Sequence, residues 1–111
     1  RVTIGDQVVH PNGTRSCHLH VNFHGCEQSR STLGSKYVAH TGLNEWAETN
    51  DIVVVYPQTV KSEDPLVYNP KGCFDWWGYS TGDVMNFAIQ SGPQIQFVHK
   101  IVKALTDMGS L

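Results

Sequence analysis

The stretch Ile52-Val53-Val54-Val55-Tyr56 decides the fold, because it is β-branched and apolar on both of its faces. Such a run is typical of a central strand in a sheet that is covered on both sides. Just before it, Leu43, Trp46 and Ala47 recur at the i, i+3, i+4 spacing of a one-faced helix within residues 41–50. The sequence therefore predicts a helix that leads into a buried strand.

Other segments extend this pattern in both directions. Residues 17–23 alternate between apolar and polar side chains, which predicts a strand, and turn formers at 10–16 predict a hairpin that joins it to residues 2–9. After Gly92-Pro93, apolar residues at helical spacing predict a last helix. The order strand, helix, strand, long loop, helix indicates an α/β unit with a parallel sheet.

Composition excludes several classes of function. Eight Lys and Arg against ten Asp and Glu give a net charge of −2, so the chain has no basic field for DNA or RNA and nucleic acid is not expected as a partner. Its longest aliphatic run is far short of the ~20 apolar residues that cross a bilayer, so no membrane span is expected. With 40% hydrophobic and 16% charged residues, the chain is typical of a globular protein.

Two sequence features bear on the cellular compartment. The chain has three cysteines, an odd number, so one thiol is unpaired or pairs with a residue outside this chain. Asn12-Gly13-Thr14 fits the acceptor pattern for N-glycosylation, which has meaning only in a secreted protein. The same residues also fit a simple tight turn.

His24-Gly25-Cys26 directly follows the predicted strand at 17–23. A glycine at this point lets the chain turn sharply and leaves backbone N–H groups outside the strand ladder. In α/β-hydrolases the loop after the third strand supplies one N–H of the oxyanion hole. The alternative is an ordinary glycine that ends a strand.

Gly78-Tyr79-Ser80-Thr81-Gly82 matches the G-x-S-x-G pattern of a nucleophile elbow. A true elbow follows a hydrophobic strand and opens a helix. The residues around Ser80 instead resemble a loop, so Ser80 is a weak candidate for a nucleophile.

Three histidines, His18, His20 and His24, fall on one face of the predicted strand. Three histidines and a water can form a catalytic zinc site. Hydrogen-bonded histidines on a covered strand are the other interpretation, and no acidic or cysteine spacing nearby supports a metal.

Aromatic residues are concentrated between Phe74 and Tyr79. Two adjacent tryptophans, Trp76 and Trp77, cannot both point inward from an extended segment, so one of them is expected to face a cleft. Exposed rings of this kind form a platform for a flat apolar or sugar-like ligand.

Three segments together resemble one protein family: residues 17–28 (CHLHVNFHGCEQ), residues 41–58 (TGLNEWAETNDIVVVYPQ) and residues 69–79 (NPKGCFDWWGY). They are similar, in this order, to the esterase and poly(3-hydroxybutyrate) depolymerase family of secreted α/β-hydrolases. Residues 91–98 resemble the helix that follows in that family. The resemblance runs from about residue 17 to residue 102.

The resemblance implies roles for particular residues. It assigns the backbone N–H of Cys26 to the oxyanion hole, with His24 and Gly25 shaping the loop, and it implies a disulfide between Cys26 and Cys73. Trp76 or Trp77, with Tyr79, would line the cleft that receives a polyester or another hydrophobic acyl ester. Cys17 is then left over, and we expect its partner outside this chain. No cofactor or metal is implied.

The chain departs from the family in one respect: no segment resembles the elbow or the strand ends that carry a Ser-His-Asp triad. Some relatives carry the nucleophile after the last helix seen here, and others are circularly permuted so that it comes before residue 1. The long aromatic loop looks more like the permuted kind. An α/β-hydrolase needs roughly 200 to 300 residues by general domain sizes.

We therefore expect residues 1–111 to be a partial catalytic domain of an α/β-hydrolase fold, with a three-layer, mostly parallel sheet. Its oxyanion loop is predicted at residues 24–28 and its aromatic substrate loop at residues 68–83. The expected function is that of part of a secreted serine carboxylesterase for polyesters, inactive without the rest of the domain. The alternative is a non-catalytic module of the same fold that binds polyester or a hydrophobic ligand.

Overall fold

Three strands form one sheet in the computed structural model, which describes residues 3–4 and 17–107. The strands are β1 (Thr3–Ile4), β2 (His18–Val21) and β3 (Ile52–Tyr56), in the spatial order β1-β3-β2. The apolar run predicted to be a central strand is therefore the middle strand of the three. It pairs in parallel with β2 and antiparallel with β1.

The first strand pairs differently from the predicted hairpin. Thr3 lies opposite Tyr56 and Ile4 lies opposite Val55, so β1 adds to β3 on the side away from β2. Both edges of β3 carry backbone N–H and C=O groups that need hydrogen-bond partners. β2 pairs with one edge, and β1 pairs with the end of the other edge. The predicted turn at Asn12-Gly13 lies outside the described residues.

In the described part of the chain, four helices accompany the sheet: α1 (Arg30–Leu33), α2 (Lys36–His40), α3 (Leu43–Thr49) and α4 (Pro93–Asp107). The two helices predicted from apolar spacing, α3 and α4, are confirmed, and Pro93 is the first residue of α4. No helix was predicted at α1 and α2, because helices of four and five residues are too short to show an apolar repeat.

The main core lies between β3 and α3. Ala47, Val54 and Tyr56 are buried there, and half-buried side chains of α2 and α3 pack around them. The Tyr56 hydroxyl donates to Asn44 Oδ1 at 2.9 Å, so its buried polar group is satisfied. Trp46 shares the apolar spacing of Leu43 and Ala47 on α3, but its side chain is 72% exposed.

The opposite face of the sheet is less completely covered. Alternation along parallel strands puts Leu19, Val21, Val53 and Val55 on this face. Val55 is fully buried, whereas the other three are half-buried. The described residues thus show an α/β arrangement with two parallel strands, and they do not form the expected three-layer, mostly parallel sheet.

The last helix, α4, follows the aromatic loop and contacts it near Gln94. None of its residues is buried. Among the described residues, no helix has both the length and the apolar character needed to cross a membrane.

Candidate functional site

A disulfide joins the loop after β2 to the loop after β3. The sulfur atoms of Cys26 and Cys73 are 2.02 Å apart, which confirms the predicted pair. Cys73 is buried, and the buried Asn69 side chain holds it by accepting from the Cys73 N–H and donating to the Cys73 carbonyl, both at 2.9 Å. The disulfide therefore fixes the predicted oxyanion loop against the aromatic loop. Cys17 takes no part in a disulfide.

The predicted oxyanion loop, residues 24–28, is a tight turn held by hydrogen bonds from its own backbone N–H groups. Gln28 N–H donates to the Gly25 carbonyl at 3.2 Å, and Glu27, at φ 60°, donates to the Lys71 carbonyl at 2.7 Å. The Gly25 N–H donates to Gln28 Oε1 at 2.8 Å. Within the described part of the chain, the N–H of Cys26 has no acceptor, and Cys26 is exposed. An exposed and uncommitted N–H can bind an anionic oxygen.

His24 is buried beneath this turn, 4% exposed. Its Nδ1 lies 2.7 Å from the Gly25 carbonyl oxygen, and its Nε2 accepts from Thr59 N–H at 3.2 Å. The ring also packs against Phe74, with 5.0 Å between the ring centroids. Both ring nitrogens therefore bind protein groups.

The three-histidine zinc site does not form. His18 and His20 are exposed on β2, whereas His24 is beyond the end of that strand with both nitrogens occupied. Among residues 3–4 and 17–107 no group of three His, Cys, Asp or Glu residues could hold a metal ion. The interpretation of His24 as a hydrogen-bonded core histidine is the one that fits the structure.

Asp75 organises the aromatic loop, residues 68–83. Its Oδ1 accepts from the backbone N–H groups of Trp77, Gly78 and Tyr79 at 3.1, 2.6 and 3.2 Å. Its Oδ2 accepts from the N–H and the hydroxyl of Ser80 at 2.8 and 2.5 Å. Burial raises the pKa of Asp75, but the hydrogen bonds from Ser80, Gly78 and Trp77 outweigh it, so the pKa lies below its usual 3.8.

These contacts also explain why the G-x-S-x-G pattern is not an elbow. Ser80 lies in a loop with no strand before it and no helix directly after it. Its hydroxyl donates to the Asp75 carboxylate, and a carboxylate with a lowered pKa is a poor base for activating a serine. Ser80 thus has a structural partner, in line with the weak case for it as a nucleophile.

The predicted aromatic residues form one cluster of rings. The ring centroids of Trp76 and Trp77 are 5.2 Å apart in an edge-to-face contact, and those of Trp77 and Tyr79 are 4.8 Å apart with the rings tilted. Trp76 is 69% exposed and Trp77 is half-buried, as expected for adjacent rings that cannot both point inward. The outer ring of the cluster is therefore accessible to a ligand.

Tyr79 separates two shallow pockets. One pocket of about 280 Å³ lies between the segment after β3, Phe74 and the first residues of α4. The other, of about 250 Å³, is lined by Leu66, Tyr68 and Trp77. Trp77 and Tyr79 both line a pocket, whereas Trp76 lines neither of these two.

Tyr79 is itself held in place through its hydroxyl. It donates to the Cys73 carbonyl at 2.7 Å and accepts from Gln94 Nε2 at 2.6 Å. Burial raises its pKa above the usual 10.0, the Gln94 hydrogen bond opposes this, and the negative charge of Asp75 adds to it. Tyr79 is therefore a neutral hydrogen-bonding group at ordinary pH.

Four residues that organise this region were not singled out from the sequence: Thr59, Asn69, Asp75 and Gln94. Two of them carried a local signal. Asp75 precedes a turn and Asn69 precedes a proline, and short side-chain oxygens at such positions often bind nearby backbone N–H groups. Thr59 binds a residue 35 positions away in sequence and Gln94 binds one 19 positions away, so no local sequence pattern predicts these contacts.

Comparison with known proteins gives two curated relatives. No protein-family model matches the chain. The chain is 41% identical over 101 residues to a poly(3-hydroxybutyrate) depolymerase of Delftia acidovorans, a match that covers 91% of this chain and 18% of the relative. It is 40% identical over 75 residues to a polyhydroxybutyrate depolymerase of Talaromyces funiculosus, covering 61% of this chain and 22% of the relative. The chain thus spans about a fifth of the length of these relatives.

Solved structures agree with the sequence comparison. The PHB depolymerase of Penicillium funiculosum superposes with a TM-score of 0.74 at 36% identity, over 82% of this chain and 30% of that one. A PHB depolymerase complexed with an R3HB trimer superposes with a TM-score of 0.75 at the same identity and coverage. By sequence and by backbone, this chain resembles one part of the PHB depolymerases.

Proposed function

We propose that this chain is the oxyanion-hole and substrate-loop part of a secreted carboxylesterase that hydrolyses a polyester such as poly(3-hydroxybutyrate). The observation that carries the proposal is that the backbone N–H of Cys26, an exposed residue, has no acceptor among the described residues, while its side chain is joined by the disulfide to the aromatic loop. The relatives named as depolymerases supply the substrate class. In this proposal the three-stranded sheet is part of a larger α/β-hydrolase sheet.

The proposed reaction is acyl transfer. A serine in the remaining part of the enzyme attacks the ester carbonyl, aided by a histidine and an aspartate from the same part. Negative charge then develops on the carbonyl oxygen, and the Cys26 N–H donates to it. One such donor is worth about 2.7–4 kcal/mol of barrier in other enzymes.

The disulfide gives the oxyanion loop a fixed position relative to the substrate loop. Cys26 lies in the first loop and Cys73 lies two residues before Asp75, which holds the turn of Trp77 and Tyr79. Trp76, Trp77 and Tyr79 would then contact the acyl chain while Cys26 contacts the reacting carbonyl. Fixed relative placement of this kind is worth several kcal/mol in catalysis.

Secretion is part of the same proposal. A disulfide between Cys26 and Cys73 is stable in an oxidising compartment, whereas the reducing cytosol removes most disulfides. We also propose that Cys17 pairs with a cysteine outside this chain.

Hydrolysis of p-nitrophenyl butyrate and of (R)-3-hydroxybutyrate oligomers by the full-length enzyme tests the proposal. We expect turnover that a serine-directed phosphonate abolishes, and none from the 111-residue chain by itself. The Ser80→Ala variant should keep the full-length activity, because Ser80 is bound to Asp75.

Two results would count against this function. Serine-dependent turnover by the 111-residue chain, lost in Ser80→Ala, would make Ser80 the nucleophile. Binding of the full-length protein to polyester without any hydrolysis would favour the non-catalytic binding module.

A further inference from the structure

The backbone of Thr59 and the ring of His24 form a link that ends at the proposed oxyanion donor. Thr59 N–H lies 3.2 Å from His24 Nε2, and His24 Nδ1 lies 2.7 Å from the Gly25 carbonyl oxygen. Thr59 lies three residues after the end of β3 and is far from the oxyanion loop in sequence, 35 residues from His24. The link therefore joins the end of β3 to the turn after β2.

These two contacts define which ring nitrogen carries the proton. A backbone N–H is only a donor and a carbonyl oxygen is only an acceptor. A proton on Nε2 would face the Thr59 N–H, and a bare Nδ1 would face the Gly25 oxygen, so both contacts would be repulsive. A proton on Nδ1 makes both of them hydrogen bonds. The Thr59 hydroxyl oxygen also lies 3.4 Å from Nε2, and because its hydrogen goes to the Gly72 carbonyl at 2.5 Å it could only accept there. That contact is longer than the 3.2 Å contact of the Thr59 N–H and the 2.7 Å contact of the Gly25 oxygen, which together select a proton on Nδ1.

The Gly25 carbonyl, which accepts the His24 proton, belongs to the peptide group that also contains the Cys26 N–H. The carbonyl of Gly25 and the N–H of Cys26 are part of one planar peptide group and point in opposite directions. A hydrogen bond to the carbonyl therefore fixes the direction of the N–H. The Gln28 N–H at 3.2 Å from the same oxygen adds a second, longer restraint.

We propose that the Thr59 N–H selects the Nδ1-protonated tautomer of His24, and that this tautomer makes His24 a positioning residue that aims the Cys26 N–H at the developing oxyanion. This inference rests on the proposed function of Cys26. The side chain of Thr59 supports the same arrangement from the other side: its hydrogen bond to the Gly72 carbonyl anchors Thr59 beside Cys73. The two ends of the disulfide are thus also connected by hydrogen bonds through Thr59 and His24.

The first test measures the tautomer in the full-length protein. Histidine labelled with ¹⁵N gives different ring signals for protonated and bare nitrogens, and the signal of His24 is identified by its loss in His24→Asn. We expect a protonated Nδ1 and a bare Nε2. A protonated Nε2 would overturn the inference, and the tautomer itself is read in the wild-type protein.

The second test compares two isosteric variants of the full-length enzyme. His24→Asn places an amide N–H where Nδ1 is, so it can still donate to the Gly25 carbonyl, and His24→Gln places its amide near the position of Nε2. We expect His24→Gln to lower kcat by about 10- to 100-fold with little change in KM, because an oxyanion donor acts in the transition state. His24→Asn should stay within about 3-fold of the wild-type kcat.

The outcomes separate this inference from the proposed function. A wild-type kcat in folded His24→Gln, or equal losses in both variants, would show that His24 only fills space in the core. Absence of ester hydrolysis by the wild-type enzyme would refute the proposed function and the catalytic role of His24 together. The ring signals would in that case still report whether Thr59 selects the tautomer.

Discussion

At the scale of single residues, the aromatic loop depends on one carboxylate. Asp75 accepts four backbone N–H groups and the Ser80 hydroxyl, and no other side chain contacts this part of the loop in as many places among the described residues. Hydrogen bonds to a charged acceptor are stronger than neutral ones, about 1.5–3 kcal/mol each. The backbone conformation at Trp77 and Tyr79 therefore depends on this charged group.

Replacing Asp75 should destabilise the loop in a graded way. We expect Asp75→Ala to lower the free energy of unfolding by about 2–3 kcal/mol, because half-buried N–H groups lose their acceptor. Asp75→Asn keeps an oxygen for the three N–H groups at Oδ1 and should cost about 1 kcal/mol. Urea unfolding followed by tryptophan fluorescence measures both. Equal stability of Asp75→Ala and the wild type would contradict the role given to this carboxylate.

The same residue predicts a dependence on acid. The pKa of Asp75 is lowered in the folded protein below its usual 3.8, so its contribution to stability is complete above that pH. It is lost as the pH falls through the lowered pKa. The difference in unfolding free energy between wild type and Asp75→Asn should thus be constant from pH 7 to about pH 4 and shrink below it. If the difference in unfolding free energy already shrinks near pH 6, a titratable group other than Asp75 causes the effect.

Two glycines in the same loop offer a matched comparison. Gly78 has φ 96° and a methyl group there would lie 2.5 Å from the Asp83 carbonyl oxygen, whereas Gly82 has φ 67° and open space around it. Gly82→Ala should cost about 1 kcal/mol, the strain of a left-handed residue alone. Gly78→Ala should cost about 3 kcal/mol, because the close contact adds to the strain. Similar losses in both variants of the full-length protein would show that the loop relaxes around Gly78.

At the scale of elements, two loops that follow neighbouring parallel strands are joined into one unit. The carboxyl ends of β2 and β3 lie at the same edge of the sheet because the strands are parallel. The disulfide, the Thr59–His24 contact and the Lys61–Glu27 ion pair at 3.7 Å all connect the two loops there. The ion pair is exposed and adds little, so the disulfide is the main connection.

Removing the disulfide tests that connection. The bond closes a loop of 47 residues in sequence separation, and the double variant Cys26→Ala/Cys73→Ala should lose about 2–4 kcal/mol of unfolding free energy. The Cys26→Ala change keeps the backbone N–H of residue 26. A fall in kcat would therefore show that this N–H has moved, because it has not been removed. Wild-type protein in a reducing buffer is the control, and it should resemble the double variant. Unchanged stability and kcat would show that the non-covalent contacts suffice.

At the scale of the whole molecule, the chain is extended and carries much apolar surface. Its radius of gyration is 15.6 Å, against about 13 Å for a typical domain of 100 residues. Leu66, Met85 and Trp46 are 85%, 75% and 72% exposed. Isolated exposed apolar residues are normal, but this many large ones indicate that part of the surface binds a partner or the rest of a larger domain.

We therefore expect the 111-residue chain to self-associate when it is prepared alone. Sedimentation velocity should show a rise in average mass with concentration, and Leu66→Glu/Met85→Glu should reduce it because charge opposes burial of the exposed apolar surface. The double variant adds two negative charges at exposed apolar positions, and Gln90→Glu adds one at an exposed polar position as a control. A chain that stays monomeric at all concentrations would contradict the interpretation of this surface.

The sequence determined the elements and the pair of cysteines. β-branched runs and apolar spacing predict β3, α3 and α4 because burial of one face imposes a period on the residues, and the resemblance to a known family implied the disulfide. Segments without a period, such as α1 and α2, were missed for the same reason. Helical spacing put Trp46 on the apolar face of α3, but it does not predict what covers that face, and Trp46 is 72% exposed.

Only the tertiary structure decided how the loops work. It placed β1 beside β3, bound Ser80 to Asp75 and left the Cys26 N–H without an acceptor among the described residues. It also brought Thr59 to His24 across 35 residues. A hydrogen bond depends on the position and direction of both partners, and for partners so far apart in sequence the packing of the loops sets both. Spacing in the sequence therefore predicts helices and strands, whereas the geometry of the candidate site follows from the folded chain.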